Sequence, residues 1–572
     1  MKYSHWNIKD IDQKSLTFVQ EEFNIPITIA KIMLLKKIIN KKESKSFFYP
    51  KISSLINPFS LIDMDKAIDR MILAIDNKEH IMVMGDYDVD GISSVSLFML
   101  YCKHMNISSS FYIPNRSSEG YGLSRKAIDH AKSLGAKLIV TSDCGITAID
   151  EISYSNDQGI DVVVTDHHQQ GEKLPEARAI INPNRKDCPY PFKSLCGAGV
   201  IFKLLCGLTL KLDKDLAFVY SLIDIVAIAT VADYVNILGE NRIIVSEGLK
   251  RISSGSNIGL TALFKSCGIS YEKANQETLS FGIIPKLNAA GRMGDASRAV
   301  KLITTSNPFL ATEISSELLK ENDKRRLLTK KIEIEAISHV RSNNLKEKEI
   351  IVLSSSNWHD GIIGIVAARI KDEYNKPTIV ISVDEEGIGK ASCRSIVGID
   401  IVEALSSCKE LLINFGGHPM AAGFTIEERR IDAFYEKIED FLMLQKGKSS
   451  DSFSIDIDCE LSLKDITNPR FIPFLYSLEP YGPGNEKPVF ISKGLKVDGL
   501  PQILGKERNV IKYNVNQNKY EFVVIGFNMV DYYNDLASGN SIDLVYSISK
   551  NYFRGKETIQ LEMKDMRVLN DS

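Results

Sequence analysis

In the stretch IMVMGDYDVDG (residues 81–91), a short apolar run passes directly into closely spaced acidic residues, and this arrangement is the main indication of the fold. The same arrangement recurs in KLIVTSDCG (residues 137–145) and in VVVTDHH (residues 162–168), and residues 110–113 form another short apolar run. Helical stretches separate these runs, as parallel strands require, since each needs a crossover connection. The pattern therefore predicts an α/β fold with a doubly wound parallel sheet.

Acidic and imidazole side chains follow three of the predicted strands. In an open parallel sheet, ligands bind beyond the carboxyl ends of the strands, so these side chains should meet in one crevice. Asp233, which ends the apolar segment 225–232, could close the same site. The side chains at the strand ends are Asp86, Asp88, Asp90, Asp143, Asp166, His167 and His168.

Carboxylates gathered so closely would repel one another and tend to protonate unless a positive charge lay among them. Carboxylate oxygens and imidazole nitrogens without thiolates suit Mn²⁺ or Mg²⁺ better than zinc. Two such ions about 3.5–4 Å apart could activate a water and bind a phosphoryl oxygen. The nine cysteines are scattered and form no Cys-x-x-Cys pair, which also argues against structural zinc.

Other interpretations exist for the single motifs. Asp-x-Asp-x-Asp-Gly at residues 86–91 matches the first half of an EF-hand loop, but the twelfth position is Leu97 rather than a bidentate Glu, and a strand precedes the motif. A single acidic residue after a strand is usually a helix N-cap, and His167-His168 alone would suit a partly buried structural pair. These interpretations do not explain why three strand ends coincide with a His-His pair.

A second α/β unit, opening with a predicted strand at residues 350–353, carries two segments rich in small residues. They are GKASCRS (residues 389–395) and FGGHPMAAG (residues 415–423), the latter read as a Gly-Gly turn, a histidine and the start of a helix. Both suit phosphate binding through backbone N–H groups and charged side chains, with simple turns as the alternative. The basic segment PKLNAAGR (residues 285–292) is loop-like, with a helix start as the alternative. Since the P-loop pattern is absent, we expect no nucleotide cofactor.

Composition bounds the class of protein. The 572 residues suffice for three to four domains, and 44% hydrophobic with 25% charged residues is ordinary globular composition. No apolar run approaches the roughly 18 residues of a membrane span, and no secretory signal is visible. Scattered cysteines fit reduced thiols, so we expect a cytoplasmic protein without a membrane partner. A net charge of -3 gives no global sign of nucleic-acid binding.

The pattern along the chain predicts five regions. Residues 307–343 lack glycine and predict a long helix. After a linker at residues 445–454, alternating segments at 510–515 and 520–526 predict a small antiparallel β-domain. The predicted regions are a helical extension (1–75), a first α/β lobe (76–306), the connecting long helix (307–345), a second α/β lobe (346–440) and the β-domain (453–567).

Together the motifs resemble the signature set of the DHH phosphoesterases. That set is Asp86–Gly91, Pro114-Asn115-Arg116 with residues 119–123, Asp143, Asp166-His167-His168 and Ala232-Asp233. Residues 286–294, 358–361 and 416–423 are similar to the RecJ family of single-strand-specific 5′-to-3′ exonucleases within that superfamily. The similarity runs from about residue 48 to the C-terminus.

The resemblance implies a DHH domain, a connecting helix, a DHHA1 domain and a C-terminal OB-like barrel. It implies release of 5′-mononucleotides from single-stranded DNA by two-metal phosphodiester hydrolysis with Mn²⁺ or Mg²⁺, in DNA recombination and repair. The partners that it implies are single-stranded-DNA-binding protein and a RecQ-type helicase.

The resemblance also assigns roles to residues. Asp143 would bridge both ions, Asp86 would support the first, and His168 would contact the scissile phosphate or the leaving group. The other implied metal ligands are Asp88, Asp90, His167 and Asp233. The implied DNA contacts are Arg116, Lys286, Asn288, Arg292, Ser392, Arg394, Ser395, Gly416, Gly417 and His418.

Two departures from the family pattern stand out. Ala391 and Cys393 replace glycines beside the DHHA1 arginine, which puts backbone contact with phosphate there in question. Lys286 stands where arginine is common and lacks its bidentate fork. On the barrel, candidate DNA contacts, which could equally be a solvated face, are Lys496, Lys506, Arg508, Lys512, Lys519, Tyr513 and Tyr520.

Two rival functions remain open. One is hydrolysis of short oligoribonucleotides or cyclic dinucleotides, but such relatives typically end after DHHA1, whereas this chain continues into a β-domain. The other is a catalytically inactive DNA-binding scaffold, but such proteins lose metal ligands, and all of the expected ligands are present here.

Overall fold

The computed structural model describes residues 5–116, 118–445, 454–505, 507–553 and 556–569. The chain divides into two compact units. The larger contains residues 55–235 and 239–450, and the smaller contains residues 1–54, 236–238 and 451–572. Over the described ranges, no helix is long and apolar enough to cross a membrane.

The N-terminal segment belongs to the smaller unit and is not wholly helical. The structure differs here from the predicted helical extension, because its first element is a strand. Leu16, Val19 and Ile32 bury the apolar faces of the first two helices. The elements are β1 (His5–Ile8), α1 (Gln13–Phe23), α2 (Ile27–Leu35) and α3 (Lys41–Phe48).

The first lobe of the larger unit is built on five parallel strands in the order β3-β2-β4-β5-β6. The central strands are apolar and buried, as expected of a parallel sheet covered by helices. This confirms the predicted α/β fold with a parallel sheet. The elements are α4 (Met64–Asp76), β2 (His80–Gly85), α5 (Val89–Met105), β3 (Ser109–Tyr112), α6 (Arg125–Ser133), β4 (Ala136–Ser142), α7 (Ile149–Asp157), β5 (Asp161–Thr165) and β6 (Ala179–Ile181).

A helical region completes the first lobe. A π-helical segment, Thr278–Ile283, leads into the helix that contains the basic stretch 285–292, so that stretch is helical rather than a loop. The α-helices are α8 (Gly197–Lys211), α9 (Ala217–Tyr220), α10 (Ile223–Ala232), α11 (Gly239–Ser253), α12 (Ile258–Ser266), α13 (Ile284–Met293) and α14 (Ser297–Thr304).

A single long helix, α15 (Pro308–Ser342), joins the two lobes of the larger unit. Its 35 residues span about 52 Å at 1.5 Å per residue. Asn307 caps its N-terminus, and Pro308 occupies the first turn, where proline loses no helical hydrogen bond. The prediction of a long helix here is confirmed.

The second lobe is a mixed five-stranded sheet in the order β10-β11-β9-β8-β7. Only β7 and β8 pair in parallel, and the remaining pairs are antiparallel. Its elements are β7 (Ile351–Ser355), α16 (Asp360–Tyr374), β8 (Thr378–Val383), β9 (Ile388–Arg394), α17 (Ile401–Ser406), β10 (Leu412–His418), β11 (Ala421–Glu427) and α18 (Ile431–Gln445).

The segment 415–423 is a hairpin, so the predicted helix start after His418 is wrong. β10 ends at His418, β11 begins at Ala421, and Gly417 pairs with Ala422. Gly417 has a φ of +147°, and a Cβ on it would lie only 2.5 Å from Cα of Ala422. The small residues therefore allow two strands to approach closely, which sequence pattern alone does not distinguish from a helix of small residues.

The C-terminal part of the smaller unit is a closed barrel. Five strands pair in the order β14-β15-β16-β18-β17, and β17 pairs back with β14, which confirms the predicted OB-like barrel. Lys506 and residues 446–453 of the predicted linker lie outside the described residues. The elements are β12 (Ser454–Ile457), β13 (Cys459–Glu460), α19 (Leu463–Ile466), α20 (Phe471–Ser477), β14 (Phe490–Leu504), β15 (Val510–Gln517), β16 (Tyr520–Phe527), α21 (Tyr533–Ala537), β17 (Ser541–Phe553) and β18 (Lys556–Val568).

The two ends of the chain form one structure within the smaller unit. β1 pairs in parallel with β12, and the Trp6 indole donates a hydrogen bond to Asp565 Oδ2 at 2.8 Å. Val19 and Ile32 share a core with Leu495 and Tyr546 of the barrel. The N-terminal helices therefore contribute to the hydrophobic core of the barrel.

Candidate active site

The acidic residues that follow the parallel strands lie at one edge of the first sheet. Asp86 follows β2, Asp143 follows the neighbouring β4, and Asp166 follows β5. The strand order reverses between β2 and β4, because β3 lies on one side and β5 and β6 on the other. Ligands bind at such switch points. All three carboxylates are buried, each with 3% exposure or less.

Two helix N-termini hold further carboxylates at this edge. Asp88 caps α5, where its Oδ1 accepts hydrogen bonds from the backbone of Asp90 (2.9 Å) and Gly91 (3.1 Å). The two oxygens of Asp90 accept from the backbone N–H groups of Gly197 (2.6 Å) and Ala198 (2.8 Å) at the start of α8. The positive ends of both helices stabilise these charges. Asp88 is thus a helix N-cap, as the alternative interpretation held, but the capping hydrogen bonds use only one of its two carboxylate oxygens.

His167 lies at the centre of the acidic residues. Its Nε2 is 3.0 Å from Asp143 Oδ1 and 3.8 Å from Asp90 Oδ2, and its Nδ1 is 3.7 Å from Asp233 Oδ2. Asp233 follows α10, so four separate elements deliver ligands to one point. We call Asp86, Asp88, Asp90, Asp143, His167 and Asp233 the acidic cluster.

The donor atoms of the acidic cluster fit divalent cations. Two groups of three side chains each place their possible ligand atoms within 4.8 Å of one another. They are Asp143 with His167 and His168, and Asp90 with His167 and Asp233. Among the described residues, four buried atoms here make no hydrogen bond of acceptable geometry: Asp86 Oδ1, Asp143 Oδ1, His167 Nε2 and Asp233 Oδ2. Buried polar atoms without partners are rare in native proteins unless an unseen ion or water satisfies them. Oxygen and nitrogen donors of this kind suit Mn²⁺ or Mg²⁺.

The protonation equilibria agree with a cation site. Burial, and then the neighbouring carboxylates, raises the pKa of Asp143 well above its ordinary value and that of Asp233 to about 8. Burial, followed by the charge of Asp88, likewise raises the pKa of Asp86. Burial lowers the pKa of His167, which keeps its imidazole neutral, the form that binds metals. Positive charge must therefore enter the cluster from outside if its carboxylates are to ionise.

His168 is oriented separately from His167. Its Nδ1 lies 2.8 Å from Asp166 Oδ1 and 3.1 Å from the hydroxyl of Tyr121. Burial acts to lower the pKa of His168, but the hydrogen bond to Asp166 outweighs it and raises that pKa to about 9. The hydrogen bond with Asp166 thus favours the cationic form of His168, which lies at the edge of the acidic cluster.

Tyr121 also supports a strained residue of the cluster. Asp143 has a left-handed backbone, with φ of +61°, and the Tyr121 hydroxyl donates a hydrogen bond to its carbonyl oxygen at 2.8 Å. Such backbone strain persists only where the surroundings hold it in place. Sequence reasoning assigned Tyr121 no role in the site, although the glycines on both sides of it, at 120 and 122, signalled an unusual loop.

Two asparagines hold the backbone of the histidine pair and were also missed. Asn184 Nδ2 donates to the carbonyl of His167 at 2.5 Å, and Asn182 Nδ2 donates to the carbonyl of His168 at 2.8 Å. The Asn-Pro-Asn turn at residues 182–184 is the sequence signal that could have drawn attention to them.

An arginine cluster lies beside the acidic residues. Burial, and then Arg116, Arg325 and Arg394, lowers the pKa of Arg292 to about 10. In the described part of the chain, none of these four guanidinium groups is within ion-pair distance of a carboxylate. We call Arg116, Arg292, Arg325 and Arg394 the arginine cluster. Like-charged groups without acidic partners suit the phosphates of a nucleic-acid strand.

Some members of this cluster were predicted and others were not. Arg292 lies on α13, one turn after Asn288, and Arg116 lies over the ring of Tyr87 at 5.1 Å. Arg325, on α15, was not predicted, because a basic residue in a long charged helix resembles an ordinary solvated face. Lys286 instead lies close enough to Cys267 to act on the pKa of that thiol, which burial raises.

The segment 389–395 presents side chains rather than backbone groups. β9 lies between β8 and β11, and both neighbours pair with it along its length, so its amides are already engaged. Ser392 and Arg394 share one face, and the Arg394 guanidinium lies 3.1 Å from Ser392 Oγ. Cys393 points to the opposite face and is fully buried in the lobe's core. The suggested contact of the backbone of residues 389–394 with phosphate is therefore wrong. Ala391 and Cys393, which replace the family's glycines, do not obstruct the face that carries Ser392 and Arg394.

The remaining predicted contacts of the second lobe have different environments. His418, exposed at the end of β10, is near enough to His167 to help lower its pKa, after burial and the His168 charge. Gly416 and Gly417 lie beside it in the same strand. Ser395 is buried, and its hydroxyl donates to the carbonyl of Ile399 at 2.7 Å. Ser395 thus stabilises the turn after β9.

The barrel candidates separate by exposure. Lys496, Arg508 and Lys519 are exposed, and Lys519 lies over the ring of Tyr520 at 5.6 Å. Tyr513 is buried, and its hydroxyl donates to Met563 Sδ, so its assignment to a DNA-facing surface is wrong. Lys512 is half-buried on the same strand.

Comparison with known proteins gives the same division of the chain. Residues 80–230 match the DHH family N-terminal domain, residues 347–444 the DHHA1 domain and residues 457–565 the RecJ OB domain. The chain is 34% identical to the single-stranded-DNA-specific exonuclease RecJ of Bacillus subtilis, over 98% of this chain and 71% of that protein.

Solved structures agree in fold. The crystal structure of RecJ from Thermus thermophilus in complex with Mn²⁺ matches 99% of this chain and 80% of its own, with a TM-score of 0.84 and 25% identity. The same protein with Mg²⁺ matches 99% of this chain and 79% of its own, with a TM-score of 0.77 and 24% identity. The domain matches, the relatives and the acidic cluster lead to one conclusion: the chain belongs to the RecJ family of metal-dependent, single-stranded-DNA-specific exonucleases.

Proposed function

We propose that this exonuclease degrades single-stranded DNA from its 5′ end and releases 5′-mononucleotides, using two divalent ions, Mn²⁺ or Mg²⁺. The observation that carries the proposal is the acidic cluster, in which buried oxygens of Asp86, Asp143 and Asp233 make no hydrogen bond to the described residues. Beside it lies the arginine cluster, which has no acidic partner among those residues. One cluster suits cations and the other suits phosphates. No zinc and no nucleotide cofactor enter the proposal.

The acidic cluster would hold both ions. His167 belongs to both groups of possible ligand atoms, and its Nε2 lies 3.0 Å from Asp143 Oδ1. The family resemblance supports Asp143 as the residue that would bridge the two ions. Asp90 and Asp233 complete one set, and Asp86 and Asp88 support the other. When bound, two divalent ions supply an activated water and neutralise charge on the phosphoryl group.

The remaining residues of this site position the strand. His168, held by Asp166 and Tyr121, presents a cationic imidazole to the scissile phosphate or to the oxygen that leaves it. Arg292 and Arg394 bind phosphates on the other side. Their partners on this path are Arg116, Asn288, Ser392 and His418.

The preference for a single strand follows from close packing between the first and second lobes. A Cβ on Gly361, at the start of α16, would lie 2.4 Å from the carbonyl oxygen of Arg292 at the end of α13. The backbones of the two lobes thus touch beside the arginine cluster, and we propose that the remaining passage admits one strand but not a duplex. Roles in recombination and repair, and partnership with single-stranded-DNA-binding protein and a RecQ-type helicase, are supported by family resemblance alone.

The test uses single-stranded DNA labelled at either end, incubated with Mn²⁺ or with chelator, beside duplex DNA, RNA and a dinucleotide. We expect mononucleotides to appear first from the 5′ label, only with metal. The variant Asp143→Ala should be inactive, whereas Asp150→Ala, an exposed carboxylate on α7, should retain activity. Release from the 3′ label first would contradict the polarity, and activity confined to the dinucleotide would favour the small-substrate rival.

A further inference from the structure

A cavity in the first lobe, apart from the acidic cluster, has the composition of a ligand site. It has a volume of about 470 Å³ and lies among the C-terminal end of α5, the start of α10, the end of α11 and the turn after α14. Small-molecule sites in proteins commonly have volumes of about 300–1,000 Å³.

The cavity is distinct from the active site. Lys103, in its wall, lies 15 residues along α5 from Asp88, which corresponds to about 22 Å at 1.5 Å per residue. Asp224, also in its wall, lies nine residues before Asp233 on α10, about 14 Å by the same measure. None of the residues lining it belongs to the acidic cluster or to the arginine cluster.

Two cationic side chains, Lys103 and Arg251, line this cavity beside the imidazole of His104. Within the described residues, no carboxylate lies within ion-pair distance of Lys103 or Arg251. The Arg251 Nε donates a hydrogen bond to the carbonyl of Ser221, which fixes the guanidinium in the wall. A charged site with a fixed guanidinium favours a phosphate or carboxylate group.

The lining of the cavity also contains one buried carboxylate, that of Asp224. Asp224 is 2% exposed, and its carboxylate accepts from the backbone N–H of Ile225 at 3.0 Å and from its own backbone N–H, with no side-chain donor among the described residues. Burial raises the pKa of Asp224 to about 6, against the influence of Arg251. A buried carboxylate with so few donors gains most from a ligand that brings its own N–H groups.

The rest of the wall is apolar and partly aromatic. Leu100, Leu222 and Ile303 line it, and Phe218 stacks on His104 with ring centroids 3.7 Å apart and an interplanar angle of 7°. Such a wall suits a flat, largely apolar ring.

We propose that this cavity binds a nucleoside 5′-monophosphate, with the phosphate at Lys103 and Arg251 and the N–H groups of the base at Asp224. The ligand combines the three features that the wall requires: an anion, a flat ring and N–H donors. The choice of a monophosphate rests on the proposed function, of which such nucleotides are the products.

The experiment measures nucleotide binding to the full chain by isothermal titration calorimetry in chelator. The background variant Arg394→Ala weakens binding at the active site. We expect dGMP, whose base presents adjacent N–H donors, to bind this variant at one site per chain and at least about tenfold more tightly than dTMP, whose base presents one. Adding Lys103→Ala, an exposed position, should weaken dGMP by at least about tenfold, and adding Asp224→Asn should abolish the preference over dTMP. The control Lys301→Ala, on α14 outside the cavity, should change neither.

Absence of dGMP binding to Arg394→Ala, or binding that Lys103→Ala leaves intact, would overturn the proposal. If inorganic phosphate bound as tightly as dGMP, the assignment of a nucleotide ligand would be overturned, and the cavity would be a site for free phosphate. Cleavage of labelled DNA by the wild type is measured separately. Lost nucleotide binding with intact cleavage would therefore refute this cavity without refuting the exonuclease.

Discussion

The acidic cluster and the arginine cluster each bring like-charged side chains together in a partly dehydrated environment, and the two clusters have opposite charge. Burial, followed by like-charged neighbours, raises the pKa of Asp143 and lowers that of Arg292. Most buried charges in proteins are paired, since an unpaired one costs free energy. The pairs here are completed from outside, by metal ions in one region and by phosphates in the other.

The two regions differ in how the fold assembles them. Adjacent parallel strands end in the acidic residues, so one sheet edge collects them. The arginines come from a loop, two helices and a strand of the second lobe. The acidic cluster should therefore persist within one lobe, whereas the arginine cluster depends on how the long helix and the second sheet pack on the first lobe.

The largest expected effect comes from Asp143→Asn. Loss of a ligand shared by both ions should reduce the rate of DNA cleavage by about 10³-fold or more. In chelator the same variant should be more stable than the wild type by about 1–4 kcal/mol, because it removes a buried carboxyl group that must take up a proton on folding. Thermal melts with and without Mn²⁺ check this, with Asp150→Asn as the control. A destabilised variant in chelator would show that the charge is already satisfied.

The corresponding change in the arginine cluster is Arg292→Met. We expect the affinity for single-stranded DNA to fall by about 10–100-fold and the slope of log affinity against log salt to decrease by about one. Stability without DNA should be unchanged or higher, since a half-buried cation without an acidic partner among the described residues is removed. Fluorescence anisotropy at several salt concentrations measures the slope. An unchanged slope would mean that Arg292 does not contact a phosphate.

Tyr121→Phe tests whether a hydroxyl positions the site. Its loss removes the hydrogen bond to the strained Asp143 carbonyl and one contact of His168. We expect kcat to fall by about tenfold and Mn²⁺ affinity to weaken, with little change in KM for DNA. The control is Tyr154→Phe, which removes a hydroxyl that donates to Asp129 on the surface of the same lobe. Equal behaviour of the two variants would exclude a positioning role.

The pH dependence of the metal-free protein gives a smaller effect. Asp233 has a pKa of about 8 in the folded chain, well above its unfolded value, so its protonated form favours folding. Stability should be greater at pH 6 than at pH 8.5, because the folded chain holds a proton on Asp233 that the unfolded chain releases. That cost grows with pH and levels off once Asp233 ionises in the folded chain, near pH 8. Mn²⁺ binding should release about one proton or more at pH 7 and fewer at pH 9. Calorimetry in buffers of different ionisation enthalpy counts those protons, and a release that rises with pH would contradict the assignment.

The smallest expected effect on DNA is that of Cys393→Gly, which restores a glycine typical of the family. The Cys393 side chain lies in the core behind β9, and the strand's amides are engaged, so DNA affinity should not improve. Stability should fall by about 1–2 kcal/mol through the cavity and the glycine. Binding and melting measured together decide this. A gain in affinity would restore the idea of backbone contact at this strand.

The sequence predicts the acidic half of the site well because its logic is local. A buried parallel strand is recognisable in the sequence as a short apolar run, and the residue that follows it lies at the ligand-binding edge of the sheet. Asp86, Asp143 and Asp166 could therefore be predicted to lie close together. The long helix α15 was equally readable from its length, its Asn307 cap and its lack of glycine.

What the sequence could not give depends on distant contacts. β1 pairs with β12, which lies far away in the sequence. For example, Asn7 and Asp456, whose side chains form a hydrogen bond between these strands, are 449 positions apart. Arg325 becomes part of a cluster only because α15 packs where it does. The hairpin at His418 was misread because small residues carry no clear period.

The most direct test of the central claim is a titration of the chelated wild type with Mn²⁺, followed by electron paramagnetic resonance. The account predicts two Mn²⁺ ions per chain, with the spin coupling of neighbouring ions, and loss of that coupling in Asp143→Asn but not in Asp150→Asn. Binding of two ions by Asp143→Asn with wild-type coupling, or failure of the wild type to bind more than one, would contradict it.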